Sequence, residues 1–266
     1  MARTKRWVSS PIADGISSFT LSSWEYFGSF LHKEMSDLKS YLYRGHRCDI
    51  WKLESTLDRL LRAKSMTAHK SLREQHLNRF RYATRGRRGS SPPNLENEND
   101  WWALGQHNGL ATPLLDWTTS PFVAAFFAYA ESREDDTKNR VVFAVHEQSI
   151  NDKSNEIRKS IASSTPQTRP NVADFFRPMS NENPRLVSQG GLFSRCPDRV
   201  DLETWISVNF KGEKQHYILI KILLPSRDRT NALRTLNQMN INHLTLFPDL
   251  YGASRFSNTD LAIDNY

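Results

Sequence analysis

The sequence predicts an α+β fold: a single domain in which a mixed or antiparallel sheet is flanked by helices. Three observations predict it. Strand-like and helix-like segments interleave without the regular β-α-β alternation of a doubly wound sheet. A chain of 266 residues with 38% apolar side chains, 7 Trp, 14 Phe and 8 Tyr has the material for a packed core. No internal repeat is visible, so a solenoid is excluded.

The elements follow in order. Residues 1–20 show no period, and the first amphipathic run, Trp24 to Leu31, spaces its apolar residues by three and four and predicts a helix. Residues 1–39 therefore read as an N-terminal helical extension, with 40–252 as the domain proper. Leu42 to Gly45 predicts a short strand closed by glycine. Leu53, Leu57, Leu60 and Leu61, then Leu72, Leu77 and Phe80, mark two helical stripes. Residues 85–93 hold two glycines, two serines and two prolines and predict a surface loop. A helix is expected over 101–109 and an extended segment over 112–117. Ser120 is a good N-cap, Pro121 suits a first helical turn, and residues 122–128 are apolar all round, which predicts an interior helix. Val141 to Val145 predicts a strand, 147–185 is polar and carries no decisive pattern, and strands are expected at 204–210 and 216–224. Ala232, Leu233, Leu236 and Met239 mark a closing helix, and 253–266 reads as a flexible tail.

Composition excludes several function classes. Cys48 and Cys196 are the only cysteines, too few for a disulfide framework or a four-thiolate zinc site, and they suit a reducing, cytoplasmic setting. No run approaches the roughly 18 apolar residues of a bilayer span, and no apolar signal core follows Met1 to Arg6, so no membrane partner is expected. Net charge is +7, yet residues 59–88 alone carry +9, with Glu74 their single acid, and the remainder is close to neutral. A local basic stretch points to a polyanion, with Arg79, Arg81, Arg85, Arg87 and Arg88 as candidate nucleic-acid contacts; an acidic protein partner or a solvated face would use the same charges.

Among catalytic signatures, the glycine-rich phosphate loop, the dinucleotide fingerprint, His-Glu-x-x-His and Gly-x-Ser-x-Gly are all missing from the sequence. His69 and His76 could share a helix face but lack a third ligand at suitable spacing, so they read as surface residues and no metal is expected. Asp198, Asp201 and Glu203 resemble a nuclease acid cluster, but Trp205 stands where such sites want a lysine. What remains is a constellation: Gln106 and His107, then Asp116 to Ser120, next to a helix N-terminus whose free amides and dipole favour an anion. The hydroxyls of Thr118, Thr119 and Ser120 serve equally well as caps for those amides. Asp116 needs a partner, and Arg44 is the expected one, whether as a functional pair or as a structural ion pair.

These residues carry a family resemblance. Tyr43-Arg44-Gly45, the long block from Gln106 to Pro121, the segment from Asn183 to Phe193 and Leu246-Phe247-Pro248-Asp249-Leu250 resemble four blocks of the FRG domain family, the long one running Gln-His-x-Gly-Leu-Pro-Thr-Arg-Leu-Leu-Asp-Trp-Thr-x-x-Pro. Ala111 and Pro113 depart from it where the family usually has Pro and Arg, and losing that arginine removes a candidate phosphate contact. The order of parts is similar to that of ADP-ribosyltransferase-type toxins of phage-defence and toxin–antitoxin systems. The resemblance implies a fold open to an ADP-ribosyltransferase-like arrangement and NAD as co-substrate. It implies Arg44, Asp116 and Gln189 as catalytic residues, with Glu203, Glu213 and Gln215 as alternatives for the third position. Tyr43, Arg44, Gln106, His107, Trp117, Thr118 and Ser120 would bind NAD, with Tyr43 or Trp117 stacking on a ring. The expected activity is ADP-ribosylation of nucleic acid, RNA before DNA, by a toxin of abortive infection that a neutralising antitoxin protein restrains. The alternatives are a non-catalytic nucleic-acid-binding module and a metal-dependent nuclease.

Overall fold

The computed structural model describes residues 5–35, 37–134, 136–161, 170–178 and 184–266. Asn183, the first residue of the third block, lies outside them. Eight strands form one mixed sheet: β1 (Trp7–Ser9), β2 (Ile16–Leu21), β3 (Tyr41–His46), β4 (Leu114–Thr118), β5 (Asn139–His146), β6 (Asp174–Phe176), β7 (Gly191–Arg195) and β8 (Leu219–Pro225). Their order is β1-β2-β8-β5-β3-β4-β7-β6, and only β2 and β8 run parallel.

Strand β5 shows why the sheet is covered on both sides. Its residues 140–145 are all buried, the continuous run expected of a central strand. Val142 and Ala144 point into one apolar cluster and Val141, Phe143 and Val145 into another. The first cluster lies under α1 (Phe27–Glu34), α5 (Pro121–Tyr129), α9 (Arg229–Gln238) and α10 (His243–Leu246). The second lies under α6 (Glu147–Ile161) and α8 (Leu202–Asn209). A third, smaller cluster joins α2 (Thr56–Leu61), α3 (Met66–Ala83) and α4 (Glu98–His107) to β4 and β7 through Leu57, Leu77, Trp102, Leu114 and Phe193.

Three expectations are corrected. The N-terminal segment, read as helical, carries α1 but also β1 and β2, and β2 pairs with β8 over five residues. The expected strand 204–210 is helix α8: Asp201 caps it by accepting from the Thr204 amide at 2.9 Å, and Leu202, Trp205 and Ile206 bury one helical face. The β-branched Thr204, Ile206 and Val208 suggested a strand, but the cap and the apolar stripe decide the outcome. The expected tail is α11 (Leu250–Ala262), capped by Asp249 and anchored by buried Ile263. The polar stretch after 147 holds α6, β6 and α7 (Pro184–Ser188).

Candidate active site

The site begins at a fault in the sheet. Strands β3 and β4 share a single ladder pair, Tyr43 with Thr118, whereas β3 pairs with β5 over six residues. Beyond that one pair β3 and β4 part, and a cleft of about 580 Å³ opens beside residues 43–47 and 116–118. Gly45 is what lets α5 close the wall behind it. A Cβ there would lie 1.9 Å from the Ala124 carbonyl oxygen and 2.6 Å from the Ala128 nitrogen, so the helix backbone rests directly on the strand.

Arg44 spans the gap. Its Nη1 donates to the Asp116 backbone carbonyl at 2.7 Å and stands 3.5 Å from the Asp116 carboxylate, the pairing expected from the sequence. Its Nε donates at 2.8 Å to His46 Nε2. Burial and then the Arg44 cation push the His46 imidazole well below its ordinary range. His46 is therefore neutral and accepts on Nε2, which puts its proton on Nδ1. Burial also lowers Arg44 itself and Asp116 raises it back, but arginine remains a cation throughout.

Asp116 is aimed by a relay. Thr112, 1% exposed, donates its hydroxyl to Gln106 Oε1, and this fixes the Gln106 amide so that Nε2 donates to Asp116 Oδ2 at 2.8 Å. Gln106 thus positions the carboxylate, whose side chain is 60% exposed. The long block works as one device: a glutamine at the end of α4, a threonine in the turn and an aspartate on β4.

The opposite wall comes from the third and fourth blocks. Thr118 donates its hydroxyl to the Gln189 carbonyl at 2.7 Å, and the Gln189 side-chain Nε2 donates to the Leu246 carbonyl at 3.1 Å. Gly190 has φ +55°, and a Cβ there would sit 2.9 Å from Thr119 Oγ1, so the turn passes close over β4. Arg185 donates from Nε to Asp249 at 2.8 Å and lies over the Phe247 and Tyr251 rings. Arg44, Gln106, His107, Asp116, Thr118 and Gln189 all line the one cleft. Burial, and next Arg185, lower the His107 imidazole.

Several expected roles do not fit the placement. Tyr43 and Trp117 border the cleft, but their rings are 0% and 2% exposed and belong to the core. Tyr43 donates to the Leu38 carbonyl and Trp117 to Ser194 Oγ, so neither is free to stack on a ligand. Ser120 caps α5 by accepting from the Val123 amide and does not line the cleft. Glu203 pairs with Lys221, and Glu213 accepts the amides of Gln215 and His216 in a turn away from the site. His69, expected on the surface, is fully buried 3.0 Å from Asp58.

The nuclease acids are dispersed among structural tasks: Asp198 meets Arg73, Asp201 caps α8 and Glu203 holds Lys221. Among the described residues no group of three or more His, Cys, Asp or Glu is arranged to hold a metal ion. Nor is any helix long and apolar enough to cross a membrane, among those residues.

The basic stretch divides by face. Arg73 is buried, and Arg81 and Arg88 lie over Trp101 at 5.5 and 5.1 Å. Arg79, Arg85 and Arg87 are exposed, and none of the five nucleic-acid candidates lines the cleft. The basic residues that do are Arg47, Arg59, Arg133 and Arg185 together with Arg44. Reading the sequence missed all but Arg44, as well as Glu131, Trp51, Phe127 and Phe247. Arg185 and Phe247 stood inside quoted blocks, Arg59 in the basic stretch and Phe127 in the apolar run 122–128; the others carry no local pattern.

Residues 39–137 match the FRG domain family. Over that stretch the chain is similar to FRG domains. The match takes in Tyr43-Arg44-Gly45 and the long block, and with them the sheet fault, the Arg44–Asp116 pair and its Gln106 relay. Gln189 and Phe247 lie beyond it and complete the cleft from the C-terminal side. No curated protein and no solved structure matches the chain.

Proposed function

We propose that the FRG-domain cleft binds NAD and transfers its ADP-ribose to a base of nucleic acid, RNA in preference to DNA. The observation that carries this reading is the convergence of Arg44, Gln106, Asp116 and Gln189, from three separate stretches of chain, on one cleft of about 580 Å³. That volume suits a ligand of this size, and the lining suits its chemistry. Guanidinium groups of Arg44, Arg59 and Arg185 match a pyrophosphate, and the partly exposed rings of Phe127 and Phe247 match flat heterocycles. The loss of the family's usual arginine at Pro113 is offset by Arg59 and Arg185.

In the reaction, the bond between nicotinamide and ribose C1′ breaks and its electron pair leaves with nicotinamide. A nitrogen or oxygen of the acceptor base bonds to C1′ and gives up its proton. Asp116, which lines the cleft and is held by Gln106 through Oδ2, steadies the positive charge developing on the ribose and takes that proton. Gln189 Oε1 accepts from a ribose hydroxyl while its Nε2 stays on Leu246. In this account the protein is a cytoplasmic toxin that a neutralising protein must restrain.

Incubation with NAD labelled in the adenylate and, separately, with RNA, DNA and protein tests the proposal. Label in RNA, with stoichiometric nicotinamide release and loss of both on Arg44→Ala, is the expected result. No NAD consumption with any acceptor overturns it.

A further inference from the structure

A second hollow, about 790 Å³, adjoins the cleft and shares Trp51 and Arg59 with it. Its character differs from the first. The Trp51 ring is 41% exposed and is held from behind by the Arg47 guanidinium at 4.9 Å and edge-on by His46 at 6.2 Å. Beside it, Ile50 is 76% exposed. A rigid indole presenting a face to solvent between two hollows is a stacking platform.

The charges around it sort into committed and uncommitted groups. Arg62 is taken by Glu54, and Lys52 stands 3.4 Å from Asp201. Asp58 is buried and accepts from the Ser55 hydroxyl at 2.6 Å and from the Arg199 amide at 3.4 Å. Two guanidinium groups line the hollow without an acid partner among the described residues: Arg59, which donates to Thr56 Oγ1 at 3.1 Å, and exposed Arg199. Arg199 also holds a left-handed backbone, φ +63°, unusual outside glycine. The Asp58 bond keeps it there and fixes where the side chain leaves the chain.

We propose that this second hollow is the acceptor subsite, in which single-stranded nucleic acid lies with one base stacked on Trp51 and a phosphate on Arg199, so that the neighbouring base enters the NAD cleft, where Arg59 faces the pyrophosphate. Transfer to that base rests on the function proposed above; binding of the strand does not. A single strand is specified because a duplex keeps its base faces stacked and cannot lend one to an indole. Nucleic acid is favoured over an acidic peptide because a carboxylate chain has no use for the exposed ring between the two cations.

The experiment measures fluorescence anisotropy of a labelled 12-nucleotide single strand, as RNA and as DNA, on the full chain without NAD. A duplex of the same sequence and polyglutamate serve as competitors. Trp51→Ala is expected to weaken binding about 5- to 100-fold, and Trp51→Phe to restore most of it. Arg199→Ala is expected to lower the slope of log K against log salt by about 0.7, the loss of one phosphate contact on a single strand. Thermal unfolding of each variant checks that the fold is intact. Binding that is indifferent to Trp51 and Arg199, or duplex or polyglutamate competing as well as single strand, overturns the subsite. NAD binding measured calorimetrically on the same variants separates the two proposals. Strand binding that depends on Trp51 in a protein that does not bind NAD keeps the subsite and removes the transferase. NAD binding with strand binding indifferent to Trp51 does the reverse.

Discussion

Replacing Gly45 by alanine tests the packing that makes the cleft. The added Cβ would meet the Ala124 carbonyl oxygen at 1.9 Å, against an ordinary contact of 3.4 Å or more, so α5 must retreat by about 1.5 Å or β3 must bend. The obstacle is backbone on both sides, and no flexible side chain can yield. Retreat would loosen seven buried residues of α5, Phe126 and Tyr129 among them. A gap of about 1 Å already forfeits a quarter to a half of each dispersion contact. The cost is therefore placed at the upper end for overpacking, about 3 kcal/mol. At roughly 2–4 °C per kcal/mol for a domain of this order, Tm falls by about 6–12 °C. Gly28→Ala is the control: it lies inside α1 with nothing within 4 Å of the new Cβ, and alanine should hold or raise Tm by about 1–4 °C. Circular dichroism melts of the three proteins decide the matter. A Gly45→Ala protein melting within 2 °C of the parent would refute the claim that strand and helix backbones touch there.

Three further predictions concern polar groups. Arg140→Met removes the donor to the Ala128 and Glu131 carbonyls, both at 2.7 Å, and to Asp136, and should cost about 3 kcal/mol in urea unfolding, because Arg47 still pairs with Asp136. A loss under 1 kcal/mol would contradict this. Burial, and then Arg255 and Arg229, lower the His243 pKa to about 4. The unfolded chain then takes up a proton below about pH 6.5 that the folded chain refuses until about pH 4, so stability present above pH 6.5 drains away over that window. His243→Phe should flatten the dependence of Tm on pH between 6.5 and 4, and an unchanged slope would assign the acid sensitivity elsewhere. Gln106→Leu should leave Tm within about 2 °C, since the site is half-exposed, yet cut ADP-ribose transfer at least tenfold by freeing the Asp116 carboxylate. Full activity would show that the relay through Thr112 does not matter.

How far the molecule was legible depended on whether the signal was local. Ser120-Pro121 ahead of an apolar run announced α5, and β5 declared itself by four β-formers in a run of five apolar residues, because caps and continuous apolar runs act within a few residues. Arg44 with Asp116 was inferable because an aspartate beside a buried segment demands a cation. Helix α8 was misread because β-branched residues at alternate positions mimic a strand, and its cap Asp201 was noticed only as part of an acid cluster resembling a nuclease site. The stacking roles of Tyr43 and Trp117 failed for a related reason: aromatic residues in a motif can be there for the core, and strand alternation sends these two inward. Arg59 opened the basic stretch, but Trp51 and Arg199 gave no sequence signal, since the juxtaposition of the three exists only once α2 and the turn before α8 meet. Part of the charge of the basic run stays inside the fold, where helix α3 sets Arg73 against Asp198.

The most direct measurement is a crystal structure of the full chain soaked with NAD. The account predicts the dinucleotide in the β3–β4 cleft, with pyrophosphate oxygens within hydrogen-bond distance of Arg44 or Arg59 and a ribose hydroxyl on Gln189. Well-diffracting crystals with NAD lodged elsewhere, or with the cleft unchanged at millimolar NAD, would contradict it.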